Sequence, residues 1–474
     1  MTATATTPRT PASQPVHRTQ IQRLADYALR ATYADLSEAS LEQIPIHILD
    51  SVGCALGALG AKPVDACRAH VQQMGGEGVP LIGGGTANPV MGAFWHTALV
   101  RYVDAMDNFL APTETCHTAD NFGSILTAGH MADSSGEELM LGVAIGWTAQ
   151  SRLVDHADFM ERGLDHTAEL AFSIGAAAGR LLGLDSATIA NAIAMAGASD
   201  AAFAAIRSKP LSQWKGFASA QSALGAFNTL LLAKRGLKGP IDLIEEPFGV
   251  DALLGMKINV DWEHEGYEGV ATATIKKFVA MIHTQSAIEC MVELTAAHPI
   301  KATDVASIVV DVPQITYDFA GGGKYGNASV GIDSKAQADH SLPYLMAVAL
   351  IDGTVMKAQF TRQRINAPDV QGLLAKVQVR PNADFTRRYP AEFPARVVVK
   401  LTDGRTLSHQ VSSYPGMPSH PFTWDDAVAK FDALTAGTVS AEQGARIKGA
   451  IQRLPATSAR ELLAELAQVP YPSS

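Results

Sequence analysis

The sequence predicts a mainly helical fold with an α+β insert: a large helical domain carrying a smaller α+β lid domain. Three observations predict it. Helical patterning runs almost unbroken from Thr19 to about Arg235, strand patterning appears only after about residue 270, and helices return from Trp424. The resulting organisation is a disordered tail at 1–18, a helical domain at 19–270 completed by 420–474, and a lid at 271–419. At roughly 100–200 residues per domain, 474 residues suit two or three domains.

The helical elements follow in order. Ile21, Leu24, Ala25 and Leu29 recur at helical spacing. Ser40 stands three residues before Gln43, a capping-box pattern, and Ile44, Ile48, Val52 and Leu56 then form an apolar stripe. The Gly-rich stretch Ile82–Thr86 lacks the Lys-Ser/Thr of a phosphate loop and reads as a turn. Apolar helices are expected at Met91–Val100 and Phe122–Met131, the second capped by Asp120 or Asn121. Asp185 or Ser186 caps a further helix, Ile189–Ala196. Small residues from Gly175 to Ala198 suit closely packed helices.

In the lid, Val305–Val312 and Val377–Arg380 read as strands. Arg396–Leu401 and Thr406–Ser412 alternate around Asp403-Gly404, a hairpin signal. Helices at Thr284–Ala297 and Tyr344–Ile351 accompany them. Trp424–Leu434, Ser440–Ile451 and Ser458–Leu466 are the returning helices. A helical body interrupted by such an insert places a cleft between the two, a favoured position for a small-molecule site.

Composition narrows the function. The chain is 47% hydrophobic and 18% charged, as in a packed globular protein. A formal net charge of −10 disfavours nucleic acid and anionic membrane as partners. The four cysteines, Cys54, Cys67, Cys116 and Cys290, form no CxxC pair, which suits reduced thiols in a cytoplasmic setting. Residues 1–18 hold no apolar signal-peptide core, and no apolar run reaches the roughly 18 residues of a membrane span.

Five polar segments interrupt the apolar pattern. Arg101–Asn121 (RYVDAMDNFLAPTETCHTADN) carries Asp104, Asp107, Asn108, Glu114, His117, Asp120 and Asn121 between two apolar helices. So polar a stretch is costly there unless it is solvated or functional. His166 opens a long apolar helix, where a helix N-terminus favours anions and lowers a histidine pKa. Lys215 begins an Ala-rich helix, where an inward lysine needs an anionic partner. Lys276 to His283 lies at the domain junction, and Asp339, His340 and Tyr344 lead into the last lid helix. Each segment also has a plain reading as a loop, a helix cap or a snorkelling side chain. No HExxH or other ligand spacing points to a metal, and no GxSxG points to a serine hydrolase.

In this order the five segments resemble the MmgE/PrpD family, which includes 2-methylcitrate dehydratase, cis-aconitate decarboxylase and an iminodisuccinate epimerase. The resemblance runs from about Tyr27 to Leu434. It is most specific in VRYVDAMDNFLAPTETCHTADN, RGLDHTAELAFS, WKGFASAQSALGAFNTLLLAKRGLKGP, KKFVAMIHTQSAIE and DHSLPYLMAVALIDG. It implies the same fold, a homodimer, a small di- or tricarboxylate substrate, and no metal or organic cofactor. Carried over by position, it assigns His117, His166, Lys215 and Tyr344 to catalysis and Asp104, Asn108, Lys276 and His283 to substrate binding.

The chain departs from the family pattern at two of these places. Asp104-Ala-Met-Asp-Asn108 stands where Asp-Phe-Asn-Asp-Thr is common, and His117-Thr-Ala-Asp-Asn121 where His-Pro-Ser-Asp-Asn is. Lys215 fits the spacing better than Lys209, while Lys276 and Lys277 are adjacent and not separable by spacing. In the decarboxylases a histidine falls nearer Met281 than His283.

The step shared by such enzymes is removal of a proton α to a carboxylate. The developing carbanion needs cations nearby, for which Lys215, Lys276 and protonated histidines are the candidates. His166 or His117 is the expected base, Tyr344 or the other histidine the acid, and Asp104 the orienting group. A 2-methylcitrate dehydratase-like hydro-lyase is the leading expectation. A decarboxylase or epimerase on the same scaffold is the alternative, and a non-catalytic carboxylate-binding protein the remote one.

Overall fold

The computed structural model describes residues 18–472 except 113, 209, 210, 327, 330 and 331. The tail expected at 1–18 lies outside these residues apart from Arg18. Helix accounts for 59% of the described residues.

Helix Pro89–Tyr102 occupies the middle of the helical body. It packs against Glu38–Ala58, Phe122–Ala132 and Ala218–Lys234. Every residue from Met91 to Arg101 is buried, as a helix apolar on all sides requires. Gly123 makes its contact with the second of these helices possible, since a Cβ there would lie 2.3 Å from the Thr97 nitrogen. The two helices flanking the 103–121 segment are therefore held at close range. Helix Trp424–Thr435 lies on Glu38–Ala58, and Ala459–Ala467 lies on Phe122–Ala132. The chain thus returns to the helical body after the lid.

The lid holds a four-stranded sheet in the order Val377–Pro381, Val305–Val312, Ala395–Leu401, Thr406–Val411. The first pair is parallel and the other two are antiparallel. Burial alternates along Ala395–Leu401, so one face meets the core. Helix Gln285–Ala297 covers the last two strands and also packs on Leu342–Asp352. The hairpin turns at Gly404, whose φ of 91° suits glycine.

Several expectations shift by a turn. The helix expected to start at Ser40 starts at Glu38 with Ser37 as its cap. Ser40 lies inside it and gives its hydroxyl to Glu268 at 2.9 Å. Asp185 caps Ser186–Ser199 as expected. Neither Asp120 nor Asn121 caps Phe122–Ala132, because both side chains are bonded elsewhere: Asp120 to Ser219, Asn121 to Gln150. Two short ribbons have no counterpart in the sequence reading, Val79–Pro80 with Thr86–Ala87 and Phe109–Leu110 with Thr115–Cys116. The first closes through Gly83, Gly84 and Gly85, all at positive φ, so the Gly-rich stretch is a turn. Among the described residues no single helix is long and apolar enough to cross a membrane.

Candidate active site

Helix Pro89–Tyr102 ends at the entrance to a cavity of about 330 Å³ between the helical body and the lid. Two residues on, Asp104 turns the chain in the left-handed region with φ 59°, a conformation that aspartate tolerates at a cost and that gathers at functional sites. The turn aims its carboxylate at three cations. Arg101 Nη1 lies at 2.8 Å, Lys215 Nζ at 2.5 Å and Lys276 Nζ at 2.8 Å. Lys276 also donates to the Asp104 carbonyl at 2.9 Å. Burial alone would raise the pKa of this carboxyl. The pull of Lys215, Lys276 and Arg101 outweighs burial and holds it well below the usual range. Burial lowers the Lys215 ammonium to about 8 even beside Asp104. Lys277 points elsewhere and bonds Glu289 at 2.6 Å, which separates the two adjacent lysines.

Beneath Asp104, the wall of the cavity is fastened by Asp107. It accepts hydrogen bonds from His47 Nδ1 at 2.6 Å, Trp147 Nε1 at 2.7 Å, Thr118 Oγ1 at 2.9 Å and the Ala119 nitrogen at 2.7 Å. This arrangement places His117 on the cavity surface. The Asn108 amide lies 2.8 Å from His117 Nδ1. Asn108 is thus behind the histidine and does not line the cavity, so its assignment to substrate binding becomes one of positioning.

His166 opens the turn His166–Glu169, which Asp165 caps. Arg207 clamps Asp165 with bonds of 2.6 and 2.8 Å and sets Nη2 3.3 Å from His166 Nε2. A guanidinium only donates, so His166 Nε2 accepts and the ring is neutral. His283 stacks on Phe319, centroids 5.3 Å apart, and neither of its ring nitrogens has a hydrogen-bond partner among the described residues. His340 binds Asp339 through Nδ1 at 2.6 Å and brings Nε2 within 3.8 Å of Asp104.

All four imidazoles are weak bases here. Burial is the first cause in each, and nearby cations add to it. His166 and His283 fall to about 3, His340 to about 4, and His117 well below its ordinary value. The expectation of protonated histidines is therefore corrected. The fixed positive charge comes from Arg101, Arg207, Lys215 and Lys276.

Asp104, His117, His166, Lys215, Lys276 and His283 line one cavity, as the sequence reading anticipated. Tyr344 does not. It is fully buried in the lid core beside Phe360, and its hydroxyl donates to the Gln359 carbonyl. Arg101, Arg207, Glu114 and His340 also line the cavity and were not among the assigned residues. The segments around three of them were singled out, but spacing does not reveal how far an arginine reaches. Lys209 lies outside the described residues.

Asp104, Asp339 and His340 bring potential ligand atoms within 4.8 Å of one another. Their oxygens are already engaged, Asp104 by two lysines and an arginine and Asp339 by Lys335 at 2.6 Å. A divalent cation would have to displace several cations, so the donor set does not fit a metal.

Comparison with known proteins finds a family for the chain. Residues 22–263 match the MmgE/PrpD N-terminal domain and residues 278–455 the MmgE/PrpD C-terminal domain. The chain is 25% identical over 429 residues to the mitochondrial 2-methylcitrate dehydratase of Yarrowia lipolytica, covering 83% of this chain and 79% of that enzyme. It is 25% identical over 423 residues to 2-methylcitrate dehydratase of Cupriavidus necator, covering 83% and 84%. Human cis-aconitate decarboxylase is 26% identical over 319 residues, covering 63% and 62%. Apart from Lys276, which lies between them, the residues of the cavity wall fall inside the matched domains, and the chain belongs to the MmgE/PrpD family of enzymes.

Proposed function

We propose that this cavity takes up a small hydroxylated di- or tricarboxylate, removes a proton α to a carboxylate and eliminates water, as a 2-methylcitrate dehydratase does. One observation carries the reading. Three cations converge on the single carboxylate of Asp104, in a cavity that also holds four neutral imidazoles. Even with Asp120 counted, 3.8 Å from Arg101, the cluster keeps a surplus positive charge. A buried surplus of this kind favours an anionic ligand, whose carboxylates complete the charge balance.

His117 is the base in this reading. Its Nδ1 holds the ring proton, donated to the Asp107 carbonyl at 3.4 Å and to the Asn108 side chain with its otherwise unpartnered oxygen turned toward the ring, which leaves the Nε2 lone pair for the substrate. The corresponding lone pair of His166 is engaged by Arg207, so His166 orients the bound carboxylate and stabilises charge. Lys215 and Lys276 stabilise the carbanion as it forms, where fixed donors contribute most. No step needs a cofactor. The test is incubation with methylcitrate, cis-aconitate and iminodisuccinate in deuterated water, followed by NMR. Loss of water supports the proposal. Carbon dioxide release means a decarboxylase, and deuterium uptake alone means an epimerase.

A homodimer and a cytoplasmic location belong to the same reading. Phe203, Trp214, Leu237, Phe248 and Leu253 are all exposed in one stretch of chain, which supports a second copy covering them. Sedimentation of the wild type and of Phe248→Asp tests this; a monomeric wild type rejects the dimer.

A further inference from the structure

Glu114 sits between the strands of the short ribbon Phe109–Leu110 and Thr115–Cys116, and it lines the cavity. It is 4% exposed. Its Oε2 accepts from the Met160 nitrogen at 3.3 Å, while Oε1 is buried without a hydrogen-bond partner among the described residues. Glu169 closes the turn that His166 opens. It is fully buried, its Oε2 takes only a 3.5 Å bond from Gln150, and its Oε1 is likewise without a partner. Among the described residues no cation pairs with either group, and Arg207, which lines the same cavity, is committed to Asp165.

Burial raises Glu114 to about 8, and Asp165 and Asp158 add to this against the Met160 and Phe159 nitrogens. Burial and then Glu114 itself raise Glu169, against the pull of Gln150. Two neighbouring carboxyls in such a setting do not both ionise. The strand Thr115–Cys116 packs on the turn His166–Glu169, so the two carboxyls are neighbours, and a proton kept by the pair lowers the cost of burying oxygens that have no other partner.

The cavity also needs an acid that is not already committed. Its histidines are neutral, Lys215 and Lys276 are held by Asp104, and Tyr344 lies in the lid core. We propose that Glu114 and Glu169 hold one proton between them, and that Glu114 delivers it to the departing hydroxyl of the substrate. The delivery step rests on the hydro-lyase reading above. The α C–H bond breaks, its proton goes to His117, and its electron pair forms the new double bond. The C–O bond breaks toward oxygen, which takes the proton from Glu114 and leaves as water. The pair then regains a proton from solvent as His117 loses one.

The test uses Glu114→Gln and Glu169→Gln in the full-length enzyme. An amide keeps the size and can donate to the remaining carboxylate, but it carries no transferable acid proton. Infrared difference spectra of wild type minus each variant at pH 7 should show the C=O stretch of a protonated carboxylic acid. Glu114→Gln should lower turnover of a hydroxylated polycarboxylate by about a hundredfold or more. Exchange of the α-proton with deuterated solvent should continue in that variant, and its unfolding temperature should match the wild type. In Glu169→Gln the amide favours ionised Glu114, so the loss of activity at high pH should move to lower pH, which a purely structural role would not cause. Near-normal turnover in Glu114→Gln, or no acid band at pH 7, overturns the proposal. A wild type that dehydrates no polycarboxylate sinks the hydro-lyase reading and the delivery step with it, while the infrared band still decides the shared proton.

Discussion

His117 and His166 meet edge to face across the cavity, with ring centroids 5.0 Å apart and planes at 66°. Burial, then Arg101, Lys276 and His166, lower the tendency of His117 to protonate, while for His166 burial, Arg207 and Arg101 do so against Asp165 and Asp104. In the proposed hydro-lyase reading, two neutral rings at this separation divide the work, one taking a proton and the other orienting the carboxylate.

Substitution of either ring tests this division. His117→Ala should lower turnover by about a hundredfold or more, the usual scale for an acid–base group. His166→Ala should lower it on a similar scale and also raise KM for the carboxylate. Steady-state kinetics on the substrate found by the NMR panel gives both values. Near-normal turnover in both variants rejects the assignment.

Asp104→Asn should cost the fold about 3–5 kcal/mol in denaturant unfolding, because it leaves Arg101, Lys215 and Lys276 buried without their carboxylate. The pH dependence has a definite sign. The folded-state pKa of Asp104 lies below its unfolded value of about 3.9. Its contribution is therefore complete above that value and is lost as pH falls toward the folded pKa. A plot of stability against pH should lose this acid-side slope in Asp104→Asn.

Tyr344→Phe should leave turnover close to wild type. It removes one buried hydrogen bond to Gln359, so unfolding should cost about 1 kcal/mol less. A hundredfold loss of turnover with unchanged stability would return Tyr344 to the chemistry.

Prolonged dialysis against a chelator should leave activity intact. The carboxylates that would hold a divalent ion are bonded to Lys215, Lys276, Arg101 and Lys335. Loss of activity with recovery on adding a divalent ion would contradict this.

Much of the fold was legible in local pattern. Val305–Val312 was readable to the residue because its β-branched run is bounded on both sides, and the hairpin was readable from Asp403-Gly404. The two-residue ribbons are too short to carry an alternating pattern. At the site, the sequence placed His117, His166, Lys215 and Lys276 in suspicion because polar groups broke apolar helices. It did not show which neighbours neutralise them. The protonation state of a histidine depends on burial, and the reach of Arg207 to His166 depends on a turn some forty residues away in the chain. Tyr344 was misplaced for a related reason. It follows a polar-to-apolar junction, as cleft residues do, yet its hydroxyl serves a backbone carbonyl inside the lid.

The anchorage of Asp107 has a mechanical consequence. Lifting the His117 wall would strip a buried carboxylate of its bonds from His47 and Trp147, a loss of several kcal/mol, while Thr118 and Ala119 tie the wall to that carboxylate. Across the cavity, the lid's Lys324 meets Glu161 of the helical body in an ion pair about half exposed on each side, worth about 0–1 kcal/mol. The helical body is therefore the stiffer wall of the cavity, and parting Lys324 from Glu161 costs less than displacing His117.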